Sequence, residues 1–228
     1  MPDARMTTEY YFQLDQFAHR EIFSDCACVW DALSRLPAYF KEHLTPGIQG
    51  TVSPDAWVGD QVYIAPGAVV EPGAMVKGPA VIGPHSVIRH GALLREYCLI
   101  GAHCVVGHTS EVKNSILLDG SCAAHFNYVG DSILGNNVNL GAGAKLSNVK
   151  NDRGPVQVSI AGMRYHTGLT KFGAIIGDGA QLGCNTVTSP GSLIGPGSHI
   201  YANTVVRGAI PARSIVKLRQ TIEVAPFD

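Results

Sequence analysis

The sequence predicts an all-β solenoid with a short helical region in front of it. Two patterns carry that expectation. From Val52 an aliphatic residue recurs at every sixth position, through Val58, Ile64, Val70, Val76, Ile82, Ile88, Leu94, Ile100, Val106, Val112, Leu118 and Ala124. Four residues after each comes a second, mostly small position, including Ala56, Ala68, Ala74, Ala80, Ser86, Ala92, Cys98, Cys104, Ser110, Ile116, Cys122 and Tyr128. Gly and Pro fill many positions between, as in "IAPGAV" and "IGPHSV". A period of six fits neither an amphipathic helix nor a two-sided strand. It fits short strands joined by tight turns, each strand forming one side of a coil and pairing with the strands above and below. Composition agrees: 46% of residues are hydrophobic but only 7% aromatic, which suits a core of small regular layers.

In chain order, residues 1–46 lack the period. Leu14, Phe17 and Phe23 are scattered anchors, and Val29, Trp30, Leu33, Leu36 and Phe40 recur at helical spacing after an N-cap at Ser24 or Asp25. Pro37 and the "TPG" at 45–47 are expected to break that helix. The segment is expected to cap an open end of the solenoid, where core and strand edges would otherwise be bare. The solenoid should occupy 47–217 in about seven coils. Five-residue steps interrupt its phase from Ala124 to Val129 to Leu134, and the period returns at Leu140 and Leu146. A stretch near 149–170 lacks it and reads as an insertion. The pattern resumes at Ile176, Leu182, Thr188, Ile194, Ile200 and Val206, and 218–228 is a tail.

Several function classes are disfavoured. The formal net charge of −1 argues against a nucleic-acid groove and against a polybasic membrane surface. No long apolar run predicts a membrane span, and the first 20 residues hold Asp3, Glu9 and Asp15 with no apolar segment between them. A cytoplasmic protein with reduced cysteines is the expectation. The six cysteines form no Cys-x-x-Cys pair, so a zinc knuckle is not expected. Cys98, Cys104 and Cys122 fall on the small row and read as buried apolar residues.

Chemistry is expected where the period is violated. Residues 110–152 concentrate Glu111, Lys113, His125, Asn127, Tyr128, Asp131, Asn137, Asn139 and Asn148 among regular hexads. A His titrates in the range where taking a proton is useful, and lysines beside polar side chains suit an anionic ligand.

The repeat resembles the hexapeptide "[LIV]-G-x-x-[small]-x" of left-handed parallel β-helices, and the left hand is implied by that resemblance alone. The segments "EVK" at 111–113, "AHFNYVGDSILGNNVNLGAG" at 124–143, Asn148 and "KFGAIIGDGAQLG" at 171–183 are more specific. They resemble the acetyltransferase domain of the bifunctional enzymes that make UDP-N-acetylglucosamine, and related archaeal sugar-1-phosphate acetyltransferase domains, over about residues 50–217. No counterpart of the uridyltransferase domain of those enzymes is legible. The resemblance implies acetyl transfer from acetyl-CoA, as co-substrate and without a metal, to the amine of glucosamine 1-phosphate or galactosamine 1-phosphate, in a homotrimer whose clefts lie between neighbouring prisms. It implies His125 as general base, the backbone N–H of Ala142 as oxyanion donor, and Asn139 at the sugar. Lys113, Tyr128 and Lys171 would bind the sugar phosphate, with Arg95 one coil away from Lys113. Asn148 would contact the sugar and Glu111 would lie near its amine. Ala142, Cys184 and Ala202 would line the coenzyme side.

Two rival readings accompany this one. His103 and His108 have the spacing of zinc ligands in γ-class carbonic anhydrases, which share the fold, and His85/His103 and His90/His108 are each 18 residues apart. All four fall at turn positions, where corner histidines need no metal. The other rival is a non-catalytic scaffold that keeps a sugar-phosphate pocket; the presence of both His125 and the "GAG" turn argues against it.

Overall fold

A computed structural model describes residues 3–226. Among them, three parallel sheets wrap one interior. Sheet A has nine strands, from Gly47–Ile48 to Ala209–Ile210. Sheet B also has nine, from Thr51–Val52 to Ile215–Val216, and sheet C has eight, from Trp57–Val58 to Val205–Val206. Successive strands visit B, C and A in rotation, so each coil contributes one strand to each sheet. The result is a left-handed parallel β-helix. It has about nine turns, not seven. Part of the difference comes from the two ends, where Gly47–Ile48, Ala209–Ile210 and Ile215–Val216 add strands beyond the row from Val52 to Val206.

Val70, Ile88, Val106 and their stacked equivalents fill the prism with little or no exposure. Small residues sit beside each corner because the backbone turns inward there. Buried serines also use their hydroxyls: Ser86 Oγ donates to the carbonyl of Gly101 at 2.8 Å and accepts from the Cys104 amide at 2.8 Å. Backbone groups that miss a ladder partner at a corner are thereby satisfied.

The phase of the repeat shifts earlier than the sequence pattern suggests. The interior row runs Val112, Leu117, Ala123, Val129, Leu134, with Ser115, Ser121 and Asn127 as the small members. Leu118 instead packs outside the prism and Cys122 and Tyr128 sit half-exposed in outer-face positions of sheets B and C. The short steps are Val112 to Leu117 and Val129 to Leu134, both across the corner between sheets C and A. They close around Asn114 (φ 44°) and Asp131 (φ 47°), residue types that tolerate the left-handed region. Leu117–Leu118 and Ala123–Ala124 are apolar pairs, so either phase satisfied the pattern. A one-residue slip nevertheless exchanges inner and outer faces.

Residues 3–44 lie along the outer face of sheet A rather than across an end. A short helix α1 (Thr8–Tyr11) precedes a longer one, α2 (Asp31–His43). α2 buries Ala32, Leu33, Leu36 and Phe40, spaced to form one face. It starts after Trp30, where Asp31 accepts from the Cys28 amide at 2.8 Å, and not at Ser24 or Asp25. It also runs through Pro37. The bond lost there is offset by burial of Leu33, Leu36 and Phe40. The covered face of sheet A is apolar for this reason: Val81, Leu99, Ile116, Ile133, Ile175 and Leu193 join one buried cluster with Trp30 and Phe172. The inserted stretch forms an antiparallel hairpin, Gln157–Ile160 with Met163–His166, whose Val156, Val158 and Ile160 enter the same cluster. Asp178 stitches the segment down, accepting from the amides of Gln13 and Asn136 at 2.8 and 2.7 Å.

Candidate functional site

Covering sheet A leaves sheets B and C open, and the site residues divide between them. The corner from B to C stacks one position of each coil into a column. Backbone bonds join its members: Phe126 N donates to His108 O at 2.9 Å, Gly143 N to His125 O at 2.9 Å, Asn185 N to Ala142 O at 2.8 Å and Asn203 N to Cys184 O at 2.8 Å. His125, Ala142, Cys184 and Ala202 therefore lie along one edge. His125 is exposed, at the end of Cys122–His125. Phe126 beside it holds φ 52°, the left-handed corner conformation that Thr109 (φ 51°) and Gly143 (φ 73°) hold in the adjacent coils; for an aromatic side chain it is a strained one.

Asn127 buttresses this corner and was not singled out among the site residues of the sequence. It is buried. Its Oδ1 accepts from the His125 amide at 3.0 Å, and its Nδ2 donates to Gly141 O at 2.8 Å. The turn that carries His125 is thus tied to the turn that carries Ala142. Asn139 lies in register between Cys122 and Gln181 on the outer face of sheet B, exposed to solvent.

The sugar-directed residues gather on sheet C and its corner with A. Leu93, Glu111, Tyr128 and Lys145 are stacked in register. Arg95 Nη1 donates to Glu111 Oε1 at 3.1 Å and its Nε lies 3.7 Å from Glu96. Lys113 Nζ is 3.4 Å from both oxygens of Asp131. Asp131, absent from the candidate set, is the hub: only 4% exposed, it also accepts from Asn114 Nδ2 at 2.9 Å and from Asn148 Nδ2. Its signal was legible as an Asp at a shortened corner. Gly130 opens the space between these groups, since a Cβ there would lie 2.7 Å from Tyr128 Oη and 2.7 Å from Asn148 Nδ2. Burial raises the pKa of the Tyr128 hydroxyl, against the opposing hydrogen bond with Asn148, so it stays a neutral donor. The bond to Glu111 raises the Arg95 pKa further.

Arg95, Glu111, Lys113, Tyr128 and Asn148 are thus brought together. Lys171 is exposed and follows the hairpin, next to Phe172, whose amide bonds Asn148 O at 2.9 Å. His125 and the coenzyme-side residues are at the B–C edge, whereas Lys113 and Asn148 are at the C–A edge.

His85 and His103 stack with ring centroids 5.1 Å apart, and His90 and His108 at 5.6 Å. His103 and His108 occupy corners at opposite ends of one sheet B strand. Among the described residues no group of three His, Cys, Asp or Glu is placed to hold a metal. No described helix is long and apolar enough to cross a membrane.

A family model, the GMPPB C-terminal domain, matches residues 76–169. A bifunctional protein GlmU from Methanococcus vannielii is 32% identical over 169 residues, covering 74% of this chain and 40% of the relative. A bifunctional sugar-1-phosphate nucleotidylyltransferase/acetyltransferase from Sulfurisphaera tokodaii is 39% identical over 77 residues, 34% of this chain and 19% of the relative. The chain is a hexapeptide-repeat protein that is similar to these relatives over as much as 74% of its own length. It spans less than half the length of these two relatives. Among solved structures, the acetyltransferase domain of PglB from Neisseria gonorrhoeae shares 21% identity, with 68% of this chain and 53% of that one covered at a TM-score of 0.38.

Proposed function

We propose that the chain transfers an acetyl group from acetyl-CoA to the amine of an amino-sugar 1-phosphate. The observation that carries this reading is the clustering of Glu111, Tyr128 and Asn148 on one face of sheet C, with His125, Ala142 and Cys184 on its edge. The sequence relatives support it, one of them being named for sugar 1-phosphates and acetyl transfer. In this reading Tyr128 and Asn148 orient the sugar, Glu111 meets its amine, and Arg95, Lys113 and Lys171 approach its phosphate. His125 takes the proton as the nitrogen attacks the thioester carbonyl. The Ala142 amide donates to the oxyanion that forms. Collapse of that intermediate breaks the C–S bond and releases coenzyme A, and the amide product keeps the acetyl group.

The base edge and the sugar cluster lie on opposite margins of sheet C. A homotrimer would bring the edge of one prism against the sheet C of the next, and closed cyclic symmetry would make three equal clefts. The test is thiol release with glucosamine 1-phosphate and galactosamine 1-phosphate as acceptors. His125→Ala should lower turnover by about 10² or more with the fold retained. Unchanged turnover would remove His125 from the chemistry. Light scattering checks the assembly, and a monomer at micromolar concentration would refute the shared cleft.

A further inference from the structure

We propose that the basin between sheet C and the inserted hairpin holds the phosphorylated tail of the acceptor, gripped by Arg164 and Arg207. The inference rests on the acetyl-transfer reading above and deepens it. The basin has a volume of about 870 Å³. One wall is the hairpin, which carries Arg164 on Met163–His166; the other is the last part of sheet C, which ends in Val205–Val206 just before Arg207. Its charged lining is Lys150, Arg164 and Arg207 against Asp152 alone. Lys150 is paired with Asp152 at 3.0 Å. Arg164 and Arg207 are exposed and make no ion pair or side-chain hydrogen bond within the described residues, so their two charges are uncompensated.

The sugar cluster has the opposite balance. Arg95 and Lys113 face Glu96, Glu111 and Asp131, with distances of 3.1 to 3.7 Å. Two cations among three carboxylates attract a phosphate dianion only weakly, so Arg95 and Lys113 need further cations beside them to hold it. The missing charge is next door, because Asn148 of the cluster leads directly into Val149 and Lys150 of the basin wall. A sugar lying on Tyr128 and Asn148 has its anionic substituent at the mouth of the basin. Guanidinium groups suit phosphate oxygens, since their planar forks donate in pairs. The volume exceeds what one phosphate needs and falls in the range of sites for whole small molecules. The ligand class is therefore a phosphate ester of an amino sugar, either a 1-phosphate or a nucleoside-diphosphate-linked form.

Calorimetry on the full chain tests the basin without requiring turnover, with inorganic pyrophosphate and UDP as probes. The parent should bind both, and the Arg164→Gln/Arg207→Gln double variant should lose at least about tenfold in affinity. Lys41→Gln, on the exposed side of α2, controls for general charge and should bind as the parent does. Circular dichroism confirms that the double variant is folded. In turnover assays the double variant should raise KM for the acceptor about tenfold or more and leave KM for acetyl-CoA unchanged. A larger loss with a UDP-linked amino sugar than with the 1-phosphate identifies the longer tail as the natural one, and the reverse identifies the shorter; both support the basin. Equal probe binding by parent and double variant overturns the proposal. So does a loss seen with coenzyme A but not with dephospho-coenzyme A, which would assign the arginines to the coenzyme. If no amino sugar is acetylated, the proposed activity fails, and the calorimetry still decides whether the basin binds phosphate.

Discussion

Asp131→Asn separates the hub of the sugar cluster from its scaffold. The native carboxylate is 4% exposed and receives Lys113 at 3.4 Å, Asn114 at 2.9 Å and the amide of Asn148. Asparagine offers one acceptor oxygen where two are used, and its own NH2 then faces another donor. The substitution removes a counter-charge and leaves one buried donor unpaired. Breaking a buried pair costs about 3–5 kcal/mol. The Lys113 side chain retains 17% exposure and can turn toward water, so about 3 kcal/mol is the expected loss. For a chain of this size that corresponds to a fall in Tm of roughly 6–12 °C by calorimetry. Lys113→Met should be destabilising too, because Asp131 would keep its charge without the ammonium. The double variant should be less destabilised than the sum of the singles by about 1–2 kcal/mol. An Asp131→Asn protein melting within about 2 °C of the parent, or a strictly additive cycle, would refute the assignment of Asp131 as the charge partner that holds this cluster.

Three further outcomes follow from the same structure. Gly130→Ala should displace Tyr128 and Asn148 and lower kcat/KM for the amino-sugar phosphate by roughly tenfold to a hundredfold, with acetyl-CoA affinity retained; steady-state kinetics with each substrate varied in turn would read this. Phe172→Ala should cost about 3–5 kcal/mol in denaturant unfolding, because its fully buried ring packs 6.2 Å from that of Trp30 where the N-terminal segment meets the prism. Burial, and secondarily His43, holds the pKa of His19 below its usual range. The unfolded chain then binds the extra proton first as pH falls, so the stability that neutral His19 contributes is present above about pH 7 and declines through about 6.5 and below. Tm should drop between about pH 7.5 and 5.5, and His19→Gln should flatten that profile.

The solenoid was legible because its interior obeys one rule repeated many times. Val70, Ile88 and Val106 had to be aliphatic and their small companions had to be small, and nothing in the surroundings could override so many equal constraints. The phase through residues 112–124 was not legible, because Leu117–Leu118 and Ala123–Ala124 each offer two apolar candidates. Only the corner geometry at Asn114 and Asp131 chooses between them. The placement of the N-terminal segment is written in a different set of positions. The six-residue row holds only inward residues, whereas Val81, Leu99, Ile133, Ile175 and Leu193 are apolar on a strand face that water would otherwise reach. That is the mark of a sheet covered by something else. Arg95, Glu111, Lys113, Tyr128 and Asn148 were found because chemistry-bearing types crowded into one stretch. Asp131 and Asn127 lay in that stretch too, but their roles are positional. Each acts by holding a neighbour, and a shortened corner can flag such a residue, but which neighbour it holds is visible only as distances.

The cover over sheet A also explains why chemistry collects where it does. A three-sided prism offers three faces and three corners, and repetition makes them equivalent at first. The N-terminal segment and the 157–166 hairpin break that equivalence by burying one face under Trp30, Phe172, Val158 and Ile160. Sheets B and C remain, and the corner between them is the one corner flanked by open faces on both sides. That corner carries His125, the strained Phe126 and the Ala142 turn. The hairpin does a second job from the same position. Having crossed to cover sheet A, it returns beside the end of sheet C and raises a wall there, with Arg164 on it. Shortening the hairpin to a tight turn at 156–168 should therefore separate two effects. Stability should fall because Val158 and Ile160 leave the cluster, by roughly 1.5–3 kcal/mol for each buried side chain. Affinity for the phosphorylated acceptor should fall as well, while the His125 corner, on the side of the prism opposite the sheet A face the hairpin packs on, should keep its rate with an acceptor that has no phosphate. A shortened chain that loses stability but binds the phosphorylated acceptor as tightly as the parent would show that the hairpin is only a cover.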